Sequence, residues 1–142
     1  MKFRSETEMI SFGKTLGEKI KNGFLKDSKL VVIELVGDVG TGKTTLTRGI
    51  AEGLGVKESV TSPSFTISKH YTFPGGELVH YDFYRLLDPG LMADDLADVI
   101  HSKNTVVVIE WGESVADILP KNHTIYKLSL SEDGSHILEE NV

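Results

Sequence analysis

The chain holds 142 residues, 39% hydrophobic and 25% charged, with a formal net charge of −6; this reads as one domain, 1–142, with a real core and no room for a large appended module. The acidic balance and only three arginines, Arg4, Arg48 and Arg85, argue against a broad electrostatic footprint on nucleic acid, leaving room for no more than a local basic patch. The absence of Cys excludes disulfides and thiolate metal sites and suits a reducing compartment.

In chain order, the first residues turn polar too soon for a secretory signal. No apolar stretch approaches the ~20 residues of a membrane span, so the expectation is a cytoplasmic protein. Ser5 and Glu8 form a Ser-x-x-Glu capping box, and Met9, Phe12, Leu16 and Ile20 follow at helical spacing. Asn22-Gly23 is a helix stop, which predicts an amphipathic helix of ~15–18 residues. Residues 30–36 are apolar on both faces, as in a buried parallel strand, with Glu34 expected to pair with a neighbour. A second helix is predicted over residues 44–54, ending at Gly55. A polar loop with Pro63 then leads to a strand at about 66–73, a turn at Pro74-Gly75-Gly76 and a returning strand over 78–83. Asp88-Pro89 reads as a cap and first helical residue, with Leu91, Leu96, Val99 and Ile100 as the apolar face and Asp94, Asp95 and Asp98 on the solvated one. Residues 105–110 form the second buried strand, and a short helix runs to about Leu119 before Pro120. A hairpin closes the chain, at about 123–130 and 135–140, with its turn at Asp133-Gly134. The expected fold is α/β and P-loop NTPase-like: a mixed sheet with a parallel centre and antiparallel edge hairpins, flanked by helices.

Function is concentrated in Gly37, Asp38, Val39, Gly40, Thr41, Gly42, Lys43 and Thr44, which match G-x-x-x-x-G-K-[ST] between a predicted strand and a predicted helix. Glycines let successive backbone N–H groups curl around an anion, and the helix start adds its partial positive charge. Lys43 is placed to reach the β- and γ-phosphates of a nucleotide, and the Thr44 hydroxyl to ligate Mg²⁺. Such a loop needs a carboxylate near the metal, and Glu110 stands where a buried strand leaves the sheet. Trp111 follows it, either as a core or edge aromatic or at the site or a partner surface. Strand alternation puts His80, Asp82 and Tyr84 on one face, so Asp82 is a second candidate acid, a metal ligand or general base, against the plain reading of a turn residue. The hydroxyl-rich loop 61–66 is either a connection or a γ-phosphate sensor.

Taken together, residues 37–45, 62–66, 80–86 and 109–111 resemble the TsaE (YjeE) family of bacterial ATPases. The His-x-Asp-x-Tyr-Arg segment and Glu110-Trp111 are the more specific parts, since many families share the phosphate loop. The resemblance implies ATP and Mg²⁺ as cofactors and a role in making N6-threonylcarbamoyladenosine (t6A) at tRNA position 37. It implies Lys43, Asp82 and Glu110 as the catalytic set, Thr44 and Glu110 as metal-site residues, and nucleotide contacts from residues 37–45. Ser5, Glu6 and Thr7 would approach the adenosine end, with Glu6 the nucleotide contact, and loop 61–66 would act as a switch. Its partners would be TsaD and TsaB, with hydrolysis resetting their complex, tRNA met only through that complex, and no membrane. One departure is His136, where relatives often carry Arg.

From the residues alone, two other readings stay open. A small-molecule kinase would need a lid and several Arg or Lys to clamp a second substrate. A non-hydrolysing, nucleotide-gated adaptor would need Lys43 but neither acid for chemistry. Only Arg48 and Arg85 are available as arginine fingers within the chain, so slow basal turnover is expected.

Overall fold

The fold is described from a computed structural model, which covers residues 1–27, 29–61, 68–83 and 90–141. In order these form β1 (Lys2–Phe3), α1 (Glu6–Lys26), β2 (Leu30–Val36), α2 (Lys43–Leu54), β3 (Ser68–Phe73), β4 (Gly76–Asp82), α3 (Leu91–Val99), β5 (Thr105–Glu110), a 3-10 helix (Gly112–Val115), β6 (Thr124–Leu130) and β7 (His136–Asn141). Of the switch-loop reading of 61–66 all but Thr61 lies outside the described residues, as do the Asp88-Pro89 cap, Tyr84 and Arg85.

The seven strands make one sheet in the order β1-β7-β6-β2-β5-β4-β3. β6, β2, β5 and β4 run parallel, while β3 and the β7–β1 edge are antiparallel. The expected parallel centre with antiparallel edges is what forms. β5 is buried at every position because helices cover both faces of the central strands, which is why it reads as a continuous apolar run. On one face Ile33, Leu35, Val106 and Val108 pack with Leu46, Ile50 and Leu54 of α2. On the other, Val32, Tyr81, Val107 and Ile109 pack with Leu96 of α3 and with Val115 and Leu119. Each such aliphatic side chain contributes roughly 1.5–3 kcal/mol on burial.

Several details differ from the pattern reading, among them the short helix expected to reach about Leu119, which is a 3-10 helix over Gly112–Val115. The pairing of β1 with β7 was not expected, because two residues carry no periodicity; it forms on an edge that β7 leaves open. α1 continues through Asn22-Gly23 to Lys26, since Gly23 stays helical and the chain leaves the helix only at Asp27, which is extended. In the capping box, Ser5 Oγ accepts from Glu8 N at 3.2 Å, but the Glu8 carboxylate accepts from Arg4 N at 2.8 Å rather than from Ser5 N. Asp95 is not simply solvated: the Tyr81 hydroxyl donates to it at 2.6 Å and ties α3 to β4. Burial, together with that carboxylate, pushes the Tyr81 hydroxyl above its ordinary range. Glu34 pairs as expected, meeting His123 Nε2 at 2.9 Å.

α1 and α2 touch backbone to backbone along a glycine seam. Gly13 and Gly17 of α1 face Gly49 and Gly53 of α2, each pair one helical turn apart. A Cβ at Gly53 would lie 2.1 Å from Lys14 O, and one at Gly17 2.3 Å from Ile50 O. Both obstacles are main-chain atoms, so neither can turn aside. Gly53→Ala is therefore expected to destabilise by about 1–3 kcal/mol through overpacking, despite a helix-propensity gain of about 1 kcal/mol. Chemical denaturation of the variant checks this; a rise in stability would show that the helices can part freely.

Candidate functional site

The parallel strands β2, β5 and β4 deliver their carboxyl ends to one edge of the sheet. Leu35 stands beside Glu110, and Glu110 beside Asp82. The chain leaves β2 at Val36 and turns through residues 37–42 into α2. Gly40 and Gly42 adopt φ of +86° and +105°, a region that L side chains rarely enter. Gly42 is the residue before the helix and has no side chain with which to cap the first turn of α2. Its N–H groups are thus left for an anion, in line with the dipole. Thr41 closes the loop internally, its Oγ1 donating to Asp38 O at 2.8 Å. Gly37 is needed for close approach: a Cβ there would lie 2.5 Å from Leu128 O.

A cavity of about 300 Å³ opens at this edge. Its walls are Glu6 at the start of α1, Val39, Gly40 and Gly42 of the loop, Lys43, Thr44 and Thr45 of α2, Asp82, Glu110 and Trp111 at the strand ends, and His136 on β7. Of the residues singled out in the sequence, Gly37, Asp38 and Thr41 shape the loop and do not line this cavity. The carbonyl of Gly37 accepts from Lys43, and that of Thr41 meets His136 Nδ1 at 2.8 Å. β1 and β7 explain how Glu6 and His136 arrive: Phe3 pairs with His136, so the start of α1 is carried to the loop.

Among the described residues, Lys43 is the only Lys or Arg lining the cavity, and it is only 6% exposed. Its ammonium donates to Gly37 O at 2.6 Å, sits 4.1 Å from the Trp111 ring centre and stands 3.9 Å from Glu110 Oε1. Burial lowers its pKa from the ordinary 10.5; the carboxylates of Glu110, Asp82 and Asp38 oppose this without cancelling it. Trp111 reaches the ammonium from a left-handed backbone, φ +56° and ψ +47°, which is rare for a bulky side chain and typical of strain held at functional sites.

Glu110, 4% exposed, is held on its other oxygen: His80 Nε2 meets Oε2 at 2.6 Å. Alternation had placed His80 on Asp82's face, but nothing in the sequence alone selected its partner. Arg48 does not belong to this cavity; its Nε donates to Val60 O at 3.2 Å beside a second hollow. Among the described residues, no group of three or more His, Asp or Glu is arranged to hold a metal ion. The donor set instead suits Mg²⁺, which is usually held by one or two protein oxygens together with substrate phosphates. Thr44 and Glu110 line one cavity and supply a hydroxyl and a carboxylate.

A mixed sheet with a parallel centre, its first buried strand turning through a glycine-rich loop into a helix, defines a P-loop α/β protein. The family model for "Threonylcarbamoyl adenosine biosynthesis protein TsaE" matches residues 3–139. The chain belongs to the TsaE family. It is 35% identical over 133 residues to the tRNA threonylcarbamoyladenosine biosynthesis protein TsaE of Haemophilus influenzae, covering 93% of this chain and 82% of that protein. The protein of the same name from Streptomyces coelicolor is 38% identical over 116 residues, 80% of this chain and 74% of its own. Among solved structures, Bacillus subtilis YdiB superposes with a TM-score of 0.69 at 29% identity, over 97% of this chain and 80% of that one.

The buried ammonium carries a stability cost. Its pKa is lower folded than unfolded, so the unfolded chain binds more protons between the lowered value and 10.5. The cost is present in full below that window and is relieved as pH rises through it. Lys43→Met should accordingly melt at or above the wild-type temperature below the window, and the difference should shrink toward the upper limit. Thermal melts of both proteins from about pH 7 upward check this; a less stable variant at low pH would contradict it.

Proposed function

We propose that this protein is a Mg²⁺-dependent ATP hydrolase that serves threonylcarbamoyladenosine synthesis at position 37 of tRNA, acting in the cytoplasm on a complex of TsaB and TsaD. The observation that carries the reading is the convergence of Lys43, Thr44, Asp82 and Glu110 on one cavity beside an uncapped helix start. Family membership and the names of the relatives support the pathway. TsaB, TsaD and the resetting of their complex follow from the family resemblance.

In this reading the backbone N–H groups of Gly40, Gly42 and the first turn of α2 bind the phosphates. Lys43, already stripped of water, gains a counter-charge when the nucleotide arrives. Glu6 takes the nucleoside end, and Val39 and Thr45 complete the wall. Thr44 and Glu110 would hold Mg²⁺, which neutralises charge on the phosphate oxygens when bound. Asp82 orients the attacking water or accepts its proton. Trp111 covers Lys43 and excludes water from it.

Lys43 is the only cavity-lining Lys or Arg among the described residues, so developing charge is incompletely offset. Turnover should therefore be slow alone and rise when TsaB and TsaD are added; tRNA is then supplied to test whether it acts through them. Lys43→Ala should lose nucleotide affinity. Asp82→Ala and Glu110→Ala should keep the affinity measured without Mg²⁺ and lose about 10²–10⁴-fold in turnover, the usual scale for a positioned acid or base. Steady-state phosphate release, alone and with partners, tests the reading. Wild-type rates in both acid variants, or no partner acceleration at saturating ATP, would overturn it.

A further inference from the structure

We infer that His80 is a positioning residue for Glu110, holding one carboxylate oxygen away from Lys43 so that the ammonium and the second oxygen both stay available to the cleft. The inference rests on the nucleotide reading above and adds a residue to it.

His80 lies on β4 with no exposure at all, paired in register with Val108 of β5. Glu110 is two residues further along β5, beside Asp82. The two acids and the imidazole therefore share one face of two neighbouring parallel strands. Glu110 Oε2 meets His80 Nε2 at 2.6 Å, whereas Glu110 Oε1 stands 3.9 Å from Lys43 Nζ. Two buried opposite charges free to move would close to full hydrogen-bonding distance. Here the imidazole, not the ammonium, makes the short contact, and Lys43 spends its hydrogen bond on Gly37 O.

A carboxylate only accepts, so Nε2 is the protonated nitrogen of His80. Nδ1 is buried and, among the described residues, has no hydrogen-bond partner. An apolar side chain at this position would remove that unsatisfied atom. What the imidazole gains in exchange is one hydrogen bond among the described residues, to Glu110. It is the arrangement of a group that orients a metal-site or catalytic carboxylate from behind.

Three variants separate the donor from the ring. Gln in place of His80 carries its amide nitrogen to about the position of Nε2, Asn carries it to that of Nδ1, and Phe keeps ring volume with no donor. Trp111 is the single Trp of the chain and lies over Lys43, so its fluorescence reports nucleotide binding without reference to turnover. H80Q should match the wild type within a few-fold. H80N and H80F should bind ADP without Mg²⁺ as the wild type does, yet need about 10–100-fold more Mg²⁺ to tighten nucleotide binding; at saturating Mg²⁺, kcat should fall with KM for ATP little changed. In an E110Q background, H80F should cost nothing further. Imidazole ¹⁵N spectra of the wild type at one fixed pH should show the proton on Nε2 of His80.

H80N and H80F that respond to Mg²⁺ as the wild type does, or a proton on Nδ1 instead, would overturn the inference alone. A wild type with no Mg²⁺-linked nucleotide affinity would overturn the nucleotide reading and this inference with it. Should H80F fail to fold, the contrast between H80Q and H80N decides the matter.

Discussion

The structure turns on one buried cation. Lys43 is taken out of water by the fold itself, and among the described residues its surroundings only partly compensate it: a carbonyl, an indole face and a carboxylate held at 3.9 Å. A fully satisfied ammonium would be a structural ion pair, with little to gain from a phosphate. An under-compensated one, its pKa lowered chiefly by burial, is stabilised most by an arriving anion. The rest of the site maintains that imbalance. The strained Trp111 backbone keeps the indole over the ammonium, and His80 keeps Glu110 from closing on it.

The scaffold serves the same end. Parallel pairing of β2, β5 and β4 sets the glycine-rich loop, Glu110 and Asp82 side by side, because parallel strands present their carboxyl ends together. The glycine seam holds α2 against α1 at main-chain distance, which fixes where α2 begins and so where Lys43 and Thr44 stand. β1, two residues long, links α1 to β7 and closes the cavity with Glu6 and His136. His136 meets the Thr41 carbonyl and lies against Gly42, so the start of β7 is in direct contact with the loop.

Much of this was legible in the chain. The central strands announce themselves because burial on both faces leaves no polar alternation to confuse them. The loop is readable because its glycines and Lys43 are contiguous. The remainder depends on contacts across the fold. Glycines inside helices read locally as a propensity cost; the missed signal was their matching four-residue spacing, Gly13 with Gly17 and Gly49 with Gly53. The face of His80 was given by alternation, but its partner is set by the register of β4 on β5, which no local pattern encodes. The bond from Tyr81 to Asp95 is hidden for the same reason, since a helical Asp reads as solvated until a neighbouring strand is placed beside it.

The central claim is that a nucleotide phosphate completes the partly compensated Lys43. Calorimetric titration of the purified protein with ATP, with and without Mg²⁺, measures this directly. The account predicts saturable binding of one nucleotide per chain that tightens when Mg²⁺ is present. Absence of any binding under both conditions, in protein shown to be folded, would contradict it.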